Sequence, residues 1–205
     1  VLLLHGSGPG VSAFANWRLT IPHLEQEMTV IAPDIVGFGF TERPADVSYD
    51  LETWAAHAVD VLDALGVAHA HIVGNSFGGA LALSLAAQHP HRVDRMVLMG
   101  AVGVRFDITR GLDAVWGYEP SVENMRAIME FFAYDKSLLG DDLAALRYQA
   151  SIRPGIQEAF HAMFPEPRQA ALDALCLPED QVRKIKTPTL PTDPAINWTS
   201  QELRW

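Results

Sequence analysis

His71-Ile72-Val73-Gly74-Asn75-Ser76-Phe77-Gly78-Gly79-Ala80-Leu81-Ala82 reads as a β-strand that turns abruptly into an α-helix, with a serine at the turn. Ile72 and Val73 are β-branched, whereas Ala80 to Ala87 is a run of strong helix formers. Gly74, Gly78 and Gly79 leave room for a strained bend that lifts the Ser76 hydroxyl clear of the backbone. Gly74-Asn75-Ser76-Phe77-Gly78 thus fits the Gly-x-Ser-x-Gly elbow, in which a base and a carbonyl carbon both reach the serine. The helix N-terminus behind it stabilises an oxyanion. The competing reading is an ordinary strand-to-helix turn.

Working outward, Val1 to Leu4 is an apolar run that empties into the loop His5-Gly6-Ser7-Gly8-Pro9-Gly10, as a buried parallel strand does. The pattern predicts a helix over 13–27, a strand over 29–34 and a loop at Gly37-Phe38-Gly39-Phe40. Leu51, Trp54, Ala55, Ala58, Val59, Leu62 and Leu65 recur at helical spacing, with Asp50 as N-cap and Gly66 as stop. A strand over 69–76, a helix over 77–88 and a strand over 93–102 complete the alternation. The fold class is therefore α/β with a mostly parallel sheet, whose ligand site lies at the carboxyl ends of the strands.

After Gly103 the rhythm changes. Val122, Met125, Met129 and Phe132 share one helical face, Leu143, Leu146 and Ala150 another, and Ile156, Phe160, Met163 and Phe164 a third. The next strand is expected at Ile185 to Leu190. We divide the chain into a core over 1–102, a helical cap over 103–184 that shapes the pocket, and the start of a second core part over 185–205.

The chain has 205 residues, 49% hydrophobic and 20% charged, as expected of one globular domain with an insertion. A net charge of -10 argues against a sequence-independent hold on nucleic acid or anionic lipid, but leaves room for a small anionic substrate held by one arginine. No apolar run approaches the roughly 20 residues of a membrane span. Cys176 is the single cysteine, so an intrachain disulfide is impossible and a reducing, cytoplasmic setting is expected. A homo-oligomer is compatible with the composition. The chain opens on Val1 without a methionine, and we expect upstream sequence to be missing.

Acyl-transfer chemistry needs a nucleophile, a base, an orienting acid and oxyanion donors. Ser76 supplies the first; the backbone N–H of Phe77 and one from Ser7 or Gly8 supply the last. The glycine-rich loop could also suggest phosphate binding, but it lacks both G-x-x-x-x-G-K-S/T and the G-x-G-x-x-G spacing. His69 and His71 sit at metal-ligand spacing on one strand face without an evident third ligand, so no metal is expected.

Loop, elbow and cap together resemble the α/β-hydrolase fold, and more closely its carbon-carbon bond hydrolases that act on ring-fission (meta-cleavage) products of aromatic degradation, such as 2-hydroxymuconate semialdehyde hydrolase. The residues carrying the likeness are His5 to Gly10 with Asn16, Gly74 to Gly79, Trp116, Phe131-Phe132-Ala133-Tyr134-Asp135 and Arg147. It implies cofactor-free hydrolysis of a vinylogous 1,5-diketone to a 2-hydroxydienoate and a small carboxylic acid. By the same likeness Arg147 meets the substrate carboxylate, Asn16 and Asn75 hydrogen-bond its 2-oxo end, and Phe132 and Trp116 wall the pocket. A planar guanidinium suits a bidentate grip on a carboxylate. The plainer roles are a solvated helix position for Arg147, cap packing for Trp116 and Phe132, and helix capping or surface for Asn16.

The family's triad runs Ser, then Asp or Glu, then His. Here the expected strand meets Pro191-Thr192-Asp193-Pro194, and all eight histidines stand at or before His161. Asn197 falls where the acid should be and Asp193 comes too early. We therefore expect a fold truncated at both ends, with a tail from about 191 onward that is not ancestral, as a shifted reading frame or incomplete clone would give. Two other readings share the fold: a non-catalytic small-acid binder or fragment, and a serine esterase.

Overall fold

The computed structural model describes residues 1–133 and 136–192. Its centre is a parallel sheet of four strands, β1 (Leu2–Leu4), β2 (Ala70–Asn75), β3 (Val93–Met99) and β4 (Thr189–Pro191), in that spatial order. The register pairs Leu4 with Gly74, Gly74 with Leu98, and Leu98 with Pro191. Beyond β1, Ile31 adds a single parallel bridge to Leu2.

Alternation along each strand sorts the side chains into two layers. Leu2, Leu4, Ile72, Met96 and Leu98 join the main core, which α3 (Leu51–Ala64) and α4 (Phe77–Gln88) cover. Leu3 and Val73 face the other way and meet Ala13 and Trp17 of α1 (Ala13–Trp17) together with Ile21 and Leu24 of α2 (Ile21–Leu24). On that second face Met99 and Leu190 are exposed.

Helix α3 follows its periodicity except at Leu65, which lies past its end and is 60% exposed. The Asp50 carboxylate accepts the Thr53 amide at 2.8 Å, Trp54, Ala55, Ala58 and Leu62 are buried, and Gly66 ends it at φ 68. Helix α4 is buried from Phe77 to Ala86, between α3 and the sheet, so its lack of a polar stripe follows from its place.

Several expected elements are shorter than their patterns, the strand over 93–102 among them, which ends at Met99. The helix over 13–27 is split into α1 and α2, because Pro22 has no N–H to continue a helix but fits its first turn. The strand over 29–34 is reduced to Ile31, whose N–H bonds Val1 O and whose carbonyl accepts Leu3 N, both at 2.8 Å, before Pro33 removes the next donor. The strand expected over 185–190 contracts to β4.

Between β3 and β4 the described residues form α5 (Arg110–Trp116), α6 (Val122–Met129), α7 (Asp141–Ser151), α8 (Ile156–Met163), α9 (Arg168–Ala174) and α10 (Glu179–Val182). The Thr109 and Ser121 hydroxyls cap α5 and α6. Trp116, Met125, Met129, Phe160 and Met163 sink into the same cluster as the sheet. Two expectations fail here. Phe132 lies beyond the end of α6 and is 66% exposed. On α7, Leu146 faces solvent while Ala144 and Ser151 are buried, so the helix is turned by about one residue from its apolar pattern. Tyr118 Oη, within 3.1 Å of Ser151 Oγ, fixes that rotation. Tyr134, Asp135, Asp193 and Asn197 lie outside the described residues.

Candidate active site

Ser76 joins β2 to α4 at φ 51 and ψ -110, and among the described residues it alone is a non-glycine with positive φ. Such a backbone costs of order 1–3 kcal/mol and persists only where neighbours over-determine it. They do. Ser76 N donates to Met99 O at 2.8 Å, and Ser76 O accepts from Gly79 N at 2.9 Å and Val102 N at 3.1 Å. The bend is too tight for side chains on either side: a Cβ on Gly74 would stand 2.5 Å from Gly78 O, and one on Gly78 would overlap the Leu4 carbonyl.

The loop after β1 lies directly against this bend. A methyl group on Gly6 would stand 3.5 Å from Ser76 Cβ and 3.1 Å from Asn75 Nδ2. Asn16 ties the two together, its Oδ1 accepting from Gly6 N at 2.9 Å and from Asn75 Nδ2 at 3.0 Å. Among the described residues the Asn16 amide N–H groups and the Asn75 Oδ1 keep no partner, which leaves one donor set and one acceptor beside the serine. Ser7 N and Gly8 N likewise donate to no described residue, and Phe77 opens α4, where an amide has no carbonyl one turn back. Amides without a described acceptor thus stand in the loop that packs on the bend and at the start of α4.

His5 holds the first loop from below. It is fully buried, with Nδ1 2.8 Å from Gly6 O and Nε2 3.0 Å from Ile35 N. A carbonyl can only accept and an amide N–H can only donate, so the ring is neutral with its proton on Nδ1. Burial lowers its pKa, against the opposing pull of the Gly6 bond and Asp34. Asp34 braces the neighbouring loop, accepting Ala13 N at 2.6 Å and Phe40 N at 2.8 Å.

From the segment between β3 and β4, Trp116 Nε1 donates to Ser7 Oγ at 2.9 Å; the ring is only 1% exposed. Gly10 packs so closely against the Ala150–Ser151 backbone that a Cβ there would stand 2.5 Å from Ser151 N. This seats the end of α7, the helix that carries Arg147, against the loop. Arg147 is half-buried and has no acidic partner among the described residues; burial, and then the nearby Arg18 charge, lower its pKa. Phe132 stands apart as an exposed residue.

The eight histidines are all described, and none hydrogen-bonds Ser76. His69 instead pairs with Asp94 at 2.7 Å in an exposed contact, with His71 4.0 Å from the same oxygen. No cluster of three or more His, Cys, Asp or Glu suited to a metal occurs among the described residues. Sequence reasoning missed Arg153, which donates to Gly39 O at 3.3 Å and covers the Phe40 ring at 4.2 Å, tying the α7–α8 connection to the core. An arginine in a connection carries no sequence signal of such a contact.

A family model described as "alpha/beta hydrolase fold" matches residues 1–174. The chain belongs to the α/β-hydrolase family. Within that family it is similar to 2-hydroxy-6-oxo-2,4-heptadienoate hydrolase of Pseudomonas putida, at 60% identity over 93% of this chain and 69% of that protein. It is 57% identical to 2-hydroxymuconate semialdehyde hydrolase of a Pseudomonas sp., again over 93% of this chain and 67% of the relative. Among solved structures, a meta-cleavage product hydrolase from Pseudomonas fluorescens IP01, complexed with acetates, superposes with a TM-score of 0.91 at 58% identity, covering 93% of this chain and 70% of that one. No described helix of this hydrolase chain is long and apolar enough to cross a membrane.

Proposed function

We propose that this chain hydrolyses the carbon–carbon bond of a ring-fission product, 2-hydroxymuconate semialdehyde or a 6-alkyl or 6-aryl analogue, giving 2-hydroxypenta-2,4-dienoate and a carboxylic acid. The observation that carries this reading is Arg147: a half-buried guanidinium with no acidic partner among the described residues, on the helix whose end packs against Gly10. Arginine stays charged even when burial disfavours it, so an incoming carboxylate finds a desolvated partner and a fixed fork of donors. The relatives named above act on substrates carrying such a carboxylate.

In this scheme Arg147 grips the carboxylate, and the unspent amide N–H groups of Asn16 and the second Nδ2–H of Asn75 donate to the 2-oxo end. Both groups orient the distal carbonyl over Ser76, which converts binding into alignment. The amides of Phe77 and of Ser7 or Gly8 receive the negative charge that develops on that carbonyl oxygen. Net reaction adds the elements of one water across the cleaved bond, hydrogen to the dienoate carbon and hydroxyl to the acyl carbon, with no cofactor or metal required. Trp116 belongs to the same proposal as a pocket wall, acting from behind Ser7. A cytoplasmic setting follows from the single cysteine.

The test is direct. The purified chain is mixed with the yellow ring-fission product: loss of absorbance that disappears in Ser76→Ala supports the hydrolase. Unchanged absorbance with measurable, Arg147-dependent binding replaces it with a small-acid binder. Turnover of simple aryl esters alone favours an esterase.

A further inference from the structure

The two amides that would receive the oxyanion come from loops far apart in sequence, and their spacing must be held to a fraction of an ångström for both to act on one oxygen. Asn16 links the loops on the side of Asn75. On the opposite side the link is aromatic. The Phe77 ring packs edge-on against Trp54 at 4.7 Å and Phe164 at 6.1 Å, and Phe38 meets it at 5.5 Å. Phe164 lies face to face on Trp116, with centroids 4.3 Å apart and planes 10° from parallel. Trp116 Nε1 then reaches Ser7 Oγ at 2.9 Å. From the other direction Phe38 meets His5 at 5.2 Å, and His5 holds the Gly6 carbonyl. These contacts close a circuit: Ser7, Trp116, Phe164, Phe77, Phe38, His5, and back to Ser7 through Gly6. Every ring in it is at most 3% exposed.

The core could have closed this circuit alone. Instead half of it runs through Trp116 on α5 and Phe164 at the end of α8, both from the segment between β3 and β4. We infer that Trp116 is a positioning residue: its stack on Phe164 and its hydrogen bond to Ser7 set the distance between the Ser7–Gly8 amides and the Phe77 amide, so that packing of the cap tunes the oxyanion site. Trp116 acts through Ser7, and the inference rests on the hydrolase reading of Ser76. A stacked, buried indole has no rotameric freedom, and closely packed interiors transmit a displacement at one end to the other.

The experiment uses two probes on the same chain. Phenylboronic acid adds the Ser76 oxygen to boron; the serine proton leaves to solvent and the boronate oxygen carries the negative charge at the oxyanion position. Acetate probes anion binding without that geometry. Trp116→Phe keeps a stacking ring but deletes the N–H, and Ser7→Ala deletes the acceptor without opening a cavity. Deleting a whole oxyanion donor costs about 10²–10³ in rate, so displacing one is expected to cost about tenfold. We expect boronate affinity, and kcat for the ring-fission substrate, to fall about tenfold in each variant, with acetate affinity and KM within twofold of the parent. The double variant should be no worse than either single, because both break one link. Unchanged boronate affinity in both single variants, or additive losses in the double, overturns the positioning role and leaves the hydrolase reading intact. A parent chain that neither binds boronate nor turns over substrate removes the hydrolase reading and this inference with it.

Discussion

Replacing Gly74 by alanine tests the bend at its tightest point. The new Cβ would stand 2.5 Å from Gly78 O and 2.8 Å from both Gly78 C and Gly79 Cα, about 0.9 Å short of the 3.4 Å at which ordinary contact begins. All three atoms are backbone in the first turn of α4, so no side chain can rotate away. Overpacking of this kind costs about 1–3 kcal/mol, and a backbone-only clash belongs at the upper end. Alanine also removes about 0.5–1 kcal/mol of unfolded-state entropy, which offsets part of the loss. The net expectation is destabilisation by about 2 kcal/mol, read as a lower urea midpoint at unchanged m. Two further glycines serve as controls. Gly140 has open space around it but is the N-cap of α7, where alanine is disfavoured, so entropy and capping oppose each other and Gly140→Ala should change stability by no more than about 0.5 kcal/mol. Gly66 also meets nothing within 4 Å but sits at φ 68, so Gly66→Ala should cost about 1 kcal/mol from backbone conformation alone. Relief of the Gly74 clash must push the start of α4 away from β2 and carry the Phe77 amide with it; a shift near 1 Å is expected to cost about 10²-fold in turnover. A Gly74→Ala chain as stable as the parent, with Gly66→Ala destabilised, would refute the close-approach argument.

Arg147→Met should raise stability by about 1 kcal/mol, read as a higher urea midpoint, because it removes a half-buried charge without an acidic partner among the described residues, while binding of the ring-fission product falls at least tenfold. Stability should also decline with acid. The folded pKa of His5 lies below its ordinary 6.5, so its contribution is complete above 6.5 and is lost as pH falls through that value toward the folded one. His57, lowered by burial, adds the same sign, and urea midpoints at pH 7.5 and 5.5 should show a slope that flattens in His5→Gln. Asp50→Ala should cost about 1 kcal/mol by unmaking the bond to Thr53 N, and Asp50→Asn should restore most of it.

Where local chemistry alone decides an element, the sequence was sufficient. Asp50, the apolar stripe and Gly66 delimit α3 without reference to anything else, and the Gly-x-Ser-x-Gly pattern between a strand and a helix located the bend at Ser76. Pro22 was equally visible, and giving it the weight of a missing donor would have split the helix over 13–27. The orientation of α7 was not legible. Leu143, Leu146 and Ala150 make a plausible apolar face, but the Tyr118–Ser151 contact and the flat surface of Gly10 select the neighbouring one, and both are tertiary. Phe132 has the spacing of the α6 face, but the helix stops at Met129. At the site, types and positions of polar residues could be read, but not their bonding. That Asn16 spends its oxygen on Gly6 and Asn75, or that Trp116 reaches Ser7, depends on which loops the sheet brings together.

The backbone at Ser76 carries one more consequence. Glycine would occupy φ 51 with far less strain, so selection for folding alone would favour losing the side chain there. The side chain at that position therefore runs against the grain of the chain's own stability. The most foldable version of this sequence and the most reactive one differ at that residue.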